Sequence, residues 1–163
     1  MARVFVSIGS NIERERHVRS ALKSLRERFD RLLVSSIFES EAVGFTGEDF
    51  YNLVVGFDTE AAVWDVAAVL HDIEKANSRD RRAPRFSPRT LDLDLLLYGD
   101  LVMDERGIKL PREEIVRYAF VLGPLAEIAG ELRHPLDGRR YADMWRDFDQ
   151  TGQSIRPVEI DIG

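Results

Sequence analysis

The sequence predicts an α+β fold, a mostly antiparallel sheet with helices packed on it. Three observations carry that prediction. The elements read in the order β-α-β-β-α-loop-β, with helical additions after the last strand. Two adjacent strand-like runs stand between the two long helices, as a hairpin requires. Strand and helix also alternate too seldom for a doubly wound parallel sheet.

Val4-Phe5-Val6-Ser7-Ile8 is short, apolar and β-branched and ends at Gly9-Ser10-Asn11, which reads as a buried strand followed by a tight turn. From about Glu13 to Phe29, Val18, Ala21, Leu22, Leu25 and Phe29 recur in steps of three and four, the stripe of an amphipathic helix, with Ser10 or Asn11 placed to begin it. Leu32–Ser40 and Phe50–Asp58 read as strands. In the second, Tyr51, Leu53, Val55 and Phe57 share one face, and Phe50, Asn52 and Val54 share the other. Residues 41–49 between them read as a loop. Thr59 is placed to cap a second helix through Val63, Val66, Leu70 and Ile73 to about Asn77. Pro84 and Pro88 break the stretch that follows. Leu91–Tyr98 is a strong strand. Beyond it lie a short helix near 112–118, a turn of helix at Pro124, a last helix over Tyr141–Phe148, and a tail after Gln150 that the pattern barely specifies.

The chain has 163 residues, a net charge of -6 and no cysteine. That length suits one domain over residues 1–163 that buries roughly two-thirds of its unfolded surface. Disulfide scaffolds, thiolate metal sites and cysteine nucleophiles are excluded, and a reducing cytoplasm is the expected location. No apolar run approaches the roughly 18 to 20 residues of a membrane span. The first ten residues also lack the apolar core of a signal peptide. The acidic total speaks against a nucleic-acid partner. A monomer acting on small molecules is expected.

The charge is segregated. Arg79, Arg81, Arg82, Arg85 and Arg89 share one stretch with a single acid, Asp80, so that stretch carries +4 and the rest of the -6 chain carries -10. Three residues after Arg89 comes Asp92, and two later Asp94. On a strand these carboxylates project from one face, while Leu91, Leu93, Leu95 and Leu97 form the apolar face opposite. Paired carboxylates are a common solvated pattern. They are also what Mg²⁺ takes when substrate phosphate and water complete its shell. Guanidiniums reaching the same mouth would pair with phosphate oxygens, so the combination suits phosphoryl transfer. No G-x-x-x-x-G-K-[ST] is present, which excludes a P-loop. Glu74, near the end of the second helix, is placed for a salt bridge to Arg79 or Arg81. The three histidines, His17, His71 and His134, lack ligand spacing and read as structural or solvated.

Phe5-Val6-Ser7-Ile8-Gly9-Ser10-Asn11, Phe50-Tyr51-Asn52, Pro88-Arg89-Thr90-Leu91-Asp92-Leu93-Asp94 and Ala119-Phe120-Val121-Leu122-Gly123-Pro124-Leu125 follow one another in an order that resembles hydroxymethyldihydropterin pyrophosphokinase. The resemblance runs over about residues 3–135. It implies a ferredoxin-like α+β sandwich and transfer of pyrophosphate from ATP to the hydroxymethyl group of 6-hydroxymethyl-7,8-dihydropterin, releasing AMP, on the route to folate. It further implies that Asp92 and Asp94 hold two Mg²⁺ ions and that Arg79, Arg81 and Arg89 clamp phosphates. By the same resemblance Asn52 hydrogen-bonds the pterin edge, Phe120 stacks on its face, and Phe50, or its neighbour Tyr51, stacks opposite. Ser40 and Val43 fall in a loop that adds pterin contacts.

The chain departs from the family pattern at three places. Arg112 replaces the histidine of the usual Leu-Pro-His run, Tyr118 replaces a later arginine with Arg117 beside it, and Phe86-Ser87 replace Trp-Gly. Arg112 and Arg117 are the candidates to meet phosphate in their place. The departures also leave room for a paralogue that handles ATP weakly, or for one that takes a related pterin.

Overall fold

The computed structural model describes residues 1–41, 49–77 and 91–162. The chain folds as β1 (Ala2–Ser10), α1 (Arg14–Phe29), β2 (Leu33–Val34), β3 (Ile37–Ser40), β4 (Phe50–Thr59), α2 (Val63–Asn77) and β5 (Asp92–Tyr98). It continues with β6 (Met103–Glu105), β7 (Ile108–Leu110), α3 (Glu114–Arg117), α4 (Ala119–Ala129), α5 (Tyr141–Arg146) and β8 (Ile155–Val158). The main sheet runs β5-β1-β4-β3-β8, with β2 also paired to β4, and every pairing is antiparallel. Strands β6 and β7 form a separate hairpin. This is the expected ferredoxin-like α+β sandwich, with β1 and β4 central and covered on both faces.

The alternation along β1 sorts its side chains into two cores. Val4, Val6 and Ile8 join Val18, Leu22 and Leu25 of α1 and Val66, Leu70 and Ile73 of α2. Phe5, on the opposite face, joins Val54, Leu122 and Leu125 of α4 and Tyr141 of α5. Each such side chain taken fully out of water contributes roughly 1.5–3 kcal/mol. Tyr141 is wholly buried, its phenol is pushed well above the ordinary range by burial, and its hydroxyl has no hydrogen-bond partner among the described residues.

Two bulges alter the expected faces. Between β1 and β5 the register passes from Val6↔Leu95 to Phe5↔Leu97, so Leu96 is an extra residue. Leu91, Leu93 and Leu95 therefore face α1 and α2 as expected, but Leu97 turns to the other core beside Leu96. The run 32–40 is likewise not one strand. Its register moves from Val34↔Val55 to Phe38↔Asn52, one residue longer on its own side. Ser35 fills the gap, its hydroxyl accepting the Val54 N–H (2.9 Å) and donating to the Ser36 carbonyl (2.8 Å).

Among the described residues neither expected helix cap forms. α1 is entered through Glu13 in the left-handed region (φ 42°), and the Ser10 hydroxyl donates to the Ile12 carbonyl instead. Thr59 still pairs with Ala2 in the ladder, and its hydroxyl accepts the Ala61 N–H to turn the chain ahead of α2. Pro124 lies inside an eleven-residue helix rather than a single turn. The tail forms a strand after all, because β3 offers β8 an edge from Ile37↔Val158 to Ser40↔Ile155.

Candidate active site

Asp92 and Asp94 leave β5 on the face covered by α4, and the ladder fixes what stands beside each. Asp92 is opposite Gly9 on β1, and Gly9 is opposite Asn52 on β4. Asp94 is opposite Ser7, and Ser7 is opposite Val54. Two adjacent rows across three strands thus bring together a carboxylate pair, two small residues and a buried amide. Gly9 belongs to this row rather than to a turn. A methyl group on it would lie 3.3 Å from Asn52 Oδ1 and 3.9 Å from the Phe50 ring, so the bare backbone leaves the amide its place.

Asn52 is 3% exposed, and its Nδ2 donates to Ser40 Oγ at 2.6 Å. Ser40 pairs in register with Phe50, and so Phe50, Asn52 and Ser40 share this face. Tyr51 projects from the other side, where the Arg14 guanidinium lies 3.9 Å from its ring centre. Between the two aromatics that the sequence left open, Phe50 is therefore the one on the aspartate face. Ser40 and Phe120 meet at a cleft of about 460 Å³, together with Glu41, Tyr118, Gln153 and Ser154. The Phe120 ring is stacked on Tyr118, centroids 5.0 Å apart and planes within 21°.

The bulge also places Arg112. Its N–H donates to the Leu96 carbonyl at 3.0 Å, and its guanidinium comes to Asp94, with Nη2 3.4 Å from Oδ1. Arg112 Nε pairs with Glu114 as well. Arg117 is not brought to the aspartates; it lies 61% exposed beside Glu113. Glu74 accepts the Leu93 N–H at 2.9 Å on the outer side of edge strand β5. Its expected salt bridge lies outside the described residues, as do Val43, Arg79, Arg81 and Arg89.

The histidines are structural or exposed, as expected. His17 is buried with Nδ1 on the Ile12 carbonyl, and His71 is 70% exposed. His134 Nδ1 accepts the N–H groups of Leu136 and Asp137 at 3.2 and 3.0 Å, and burial holds its pKa below the ordinary value.

The donor set fits a hard cation. Asp92 and Asp94 offer oxygens only, on one face, flanked by Gly9 and Ser7, and among the described residues Arg112 is in contact with Asp94. Among the described residues no third His, Cys, Asp or Glu completes a metal-holding group. Such a pair needs water and substrate phosphate to finish the shell, which is the habit of Mg²⁺.

Gln153 and Tyr118 were not assigned to the site from the sequence. Gln153 sits in the unspecified tail, and only the pairing of β8 with β3 brings it to the cleft.

Residues 5–130 match the family described as 7,8-dihydro-6-hydroxymethylpterin-pyrophosphokinase (HPPK). The chain is 37% identical over 149 residues to the 2-amino-4-hydroxy-6-hydroxymethyldihydropteridine pyrophosphokinase of Pseudomonas aeruginosa, covering 87% of this chain and 89% of the relative. It is 30% identical over 138 residues to the enzyme of the same name from Aquifex aeolicus, covering 83% and 86%. Among solved structures it superposes on a wild-type Plasmodium falciparum HPPK-DHPS with a TM-score of 0.68 at 11% identity, over 90% of this chain. The chain spans 43% of the length of that structure, and the likeness at this identity is one of fold.

Proposed function

The chain belongs to the 7,8-dihydro-6-hydroxymethylpterin-pyrophosphokinase family, and from that membership we propose the roles of its site residues. The protein is an ATP-dependent diphosphotransferase. It moves pyrophosphate from ATP to the hydroxymethyl group of 6-hydroxymethyl-7,8-dihydropterin, leaving AMP, in folate biosynthesis. The observation that supports the site reading is the row Asp92–Gly9–Asn52, a carboxylate at one end and a buried amide at the other.

Asp92 and Asp94 hold Mg²⁺, in two ions. When bound, the metal neutralises charge on the phosphate oxygens and lowers the pKa of the attacking hydroxyl. Asn52, fixed by Ser40, presents its amide to the pterin edge. Phe120 stacks on the pterin face, and Phe50 stacks opposite. Arg112, beside Asp94, meets the triphosphate in place of the family histidine. Arg117, exposed beside Glu113, is the second candidate to meet phosphate. Arg79, Arg81 and Arg89, which clamp phosphates, and Val43, a pterin contact, are assigned from the sequence alone. The guanidiniums contribute by geometry and charge, since phosphoryl transfer leaves the protein mainly positioning and electrostatics to supply.

We further take residues 1–163 as one domain acting as a monomer in the cytoplasm. No described helix is long and apolar enough to cross a membrane. The test of function is AMP release by the purified protein with Mg²⁺, ATP and hydroxymethyldihydropterin. AMP should appear in proportion to pterin consumed; tight pterin binding by calorimetry without AMP would leave only a binding role.

A further inference from the structure

We propose that Gln153 is a positioning residue for the aromatic wall of the pterin cleft. This rests on the reading of that cleft given above. The Gln153 side chain uses both halves of its amide. Oε1 accepts the Ala119 N–H at 2.9 Å, and Nε2 donates to the Arg117 carbonyl at 3.1 Å. These two backbone groups flank Tyr118, which is extended (φ -122°, ψ 127°) between the end of α3 and the start of α4.

Ala119 opens α4, so its N–H is one of the four that no helix can satisfy internally. The residue at the N-cap, Tyr118, makes no side-chain cap of its own. Gln153 takes that part from the far end of the chain. It thereby fixes the first turn of α4, which carries Phe120, and the peptide from which Tyr118 stacks on it.

The anchorage of Gln153 makes the arrangement more than a cap. Its own N–H closes a turn on the Gln150 carbonyl at 2.9 Å, and two residues later Ile155 pairs with Ser40. Ser40 also lines the cleft, and its hydroxyl accepts the Asn52 amide at 2.6 Å. One side chain therefore ties β8, and through it β3 with Ser40, to the helix that bears Phe120.

The test uses the full chain in steady-state assays, with Gln153→Ala, Gln153→Glu, Phe120→Ala and the Gln153→Ala/Phe120→Ala double variant. Loss of a neutral hydrogen-bond pair is expected to raise the pterin KM about five- to tenfold. The MgATP KM should stay near wild type, and the thermal midpoint should fall by no more than the few degrees that loss of one helix cap gives. Gln153→Glu keeps the acceptor for Ala119 and loses the donor to Arg117, so it should fall between, and it decides the matter if Gln153→Ala folds poorly. In the Phe120→Ala background, Gln153→Ala should add less than about a twofold further loss. Full additivity there, or an equal rise in both KM values, overturns the proposal. Phe120→Ala alone reads the cleft assignment: an unchanged pterin KM overturns that assignment. A raised one beside an unchanged Gln153→Ala overturns the role of Gln153 only.

Discussion

Arg112 Nη2 lies 3.4 Å from Asp94 Oδ1, so one of the residues that depart from the family pattern touches the carboxylate pair. Both side chains are partly exposed, 37% and 43%, which leaves the guanidinium room to turn toward an incoming phosphate. A charge-assisted bond of this kind contributes about 1.5–3 kcal/mol. Arg112→Ala should therefore raise the MgATP KM roughly ten- to a hundredfold, with the pterin KM little changed. Arg112→Lys should recover part of the loss, since it keeps the charge without the planar fork. Steady-state kinetics in both substrates check this, and an unchanged MgATP KM in Arg112→Ala removes Arg112 from phosphate binding.

The carboxylate pair is the second point of test. Removing either aspartate takes away a metal ligand and also relieves repulsion between like charges on one face. Asp92→Ala and Asp94→Ala should each lower AMP formation by about a thousandfold or more. The urea midpoint should change little, since the ion pair that Asp94 makes with Arg112 is partly exposed and contributes about 0–1 kcal/mol. Appreciable AMP from the double variant would show that the metal is held elsewhere.

What the sequence disclosed follows the range over which its signals act. The two-residue period of Phe50 to Phe57 and the three-to-four spacing from Val18 to Phe29 are local, and both faces came out as expected. The aspartate pair was readable for the same reason. Leu97 was misplaced because a single extra residue, Leu96, reverses every face beyond it, and nothing local marks a bulge. β8 was missed because Ile155–Val158 acquires its strand only from the edge that β3 presents. Gln153 was missed with it.

Gly9 gives a finer probe of the row. Its missing side chain is what leaves Asn52 Oδ1 its position, a methyl group being only 3.3 Å away. Gly9→Ala has no unfavourable backbone angle to contend with, so its effect falls on the neighbouring amide. The substitution should raise the pterin KM several-fold, with kcat/KM for MgATP near wild type. If both substrates suffer equally, Gly9 supports the sheet rather than the amide.

Tyr141 offers a prediction on stability alone. Its hydroxyl is buried in the core beneath α4 with no partner among the described residues, and such a group costs about 1–3 kcal/mol of desolvation. Tyr141→Phe keeps the ring and its packing. Denaturant unfolding should show the variant equal to or more stable than wild type. A loss above about 1 kcal/mol would reveal a hydrogen bond to the hydroxyl.

His134 sets an acid limit on the fold. Its Nδ1 accepts two backbone N–H groups, so the ring must be neutral there, and burial lowers its pKa below the ordinary 6.5. As pH falls through 6.5 the unfolded chain takes up this proton before the folded one, and stability declines below that point while it is unaffected above it. Asn Oδ1 sits where Nδ1 does, accepts the same N–H groups and does not titrate. His134→Asn should accordingly match wild type near pH 7.5 and retain more of its stability near pH 5.5. The quantity to follow is the difference in urea midpoint between the two proteins across that range. A difference that stays constant with pH would place the acid sensitivity on other groups.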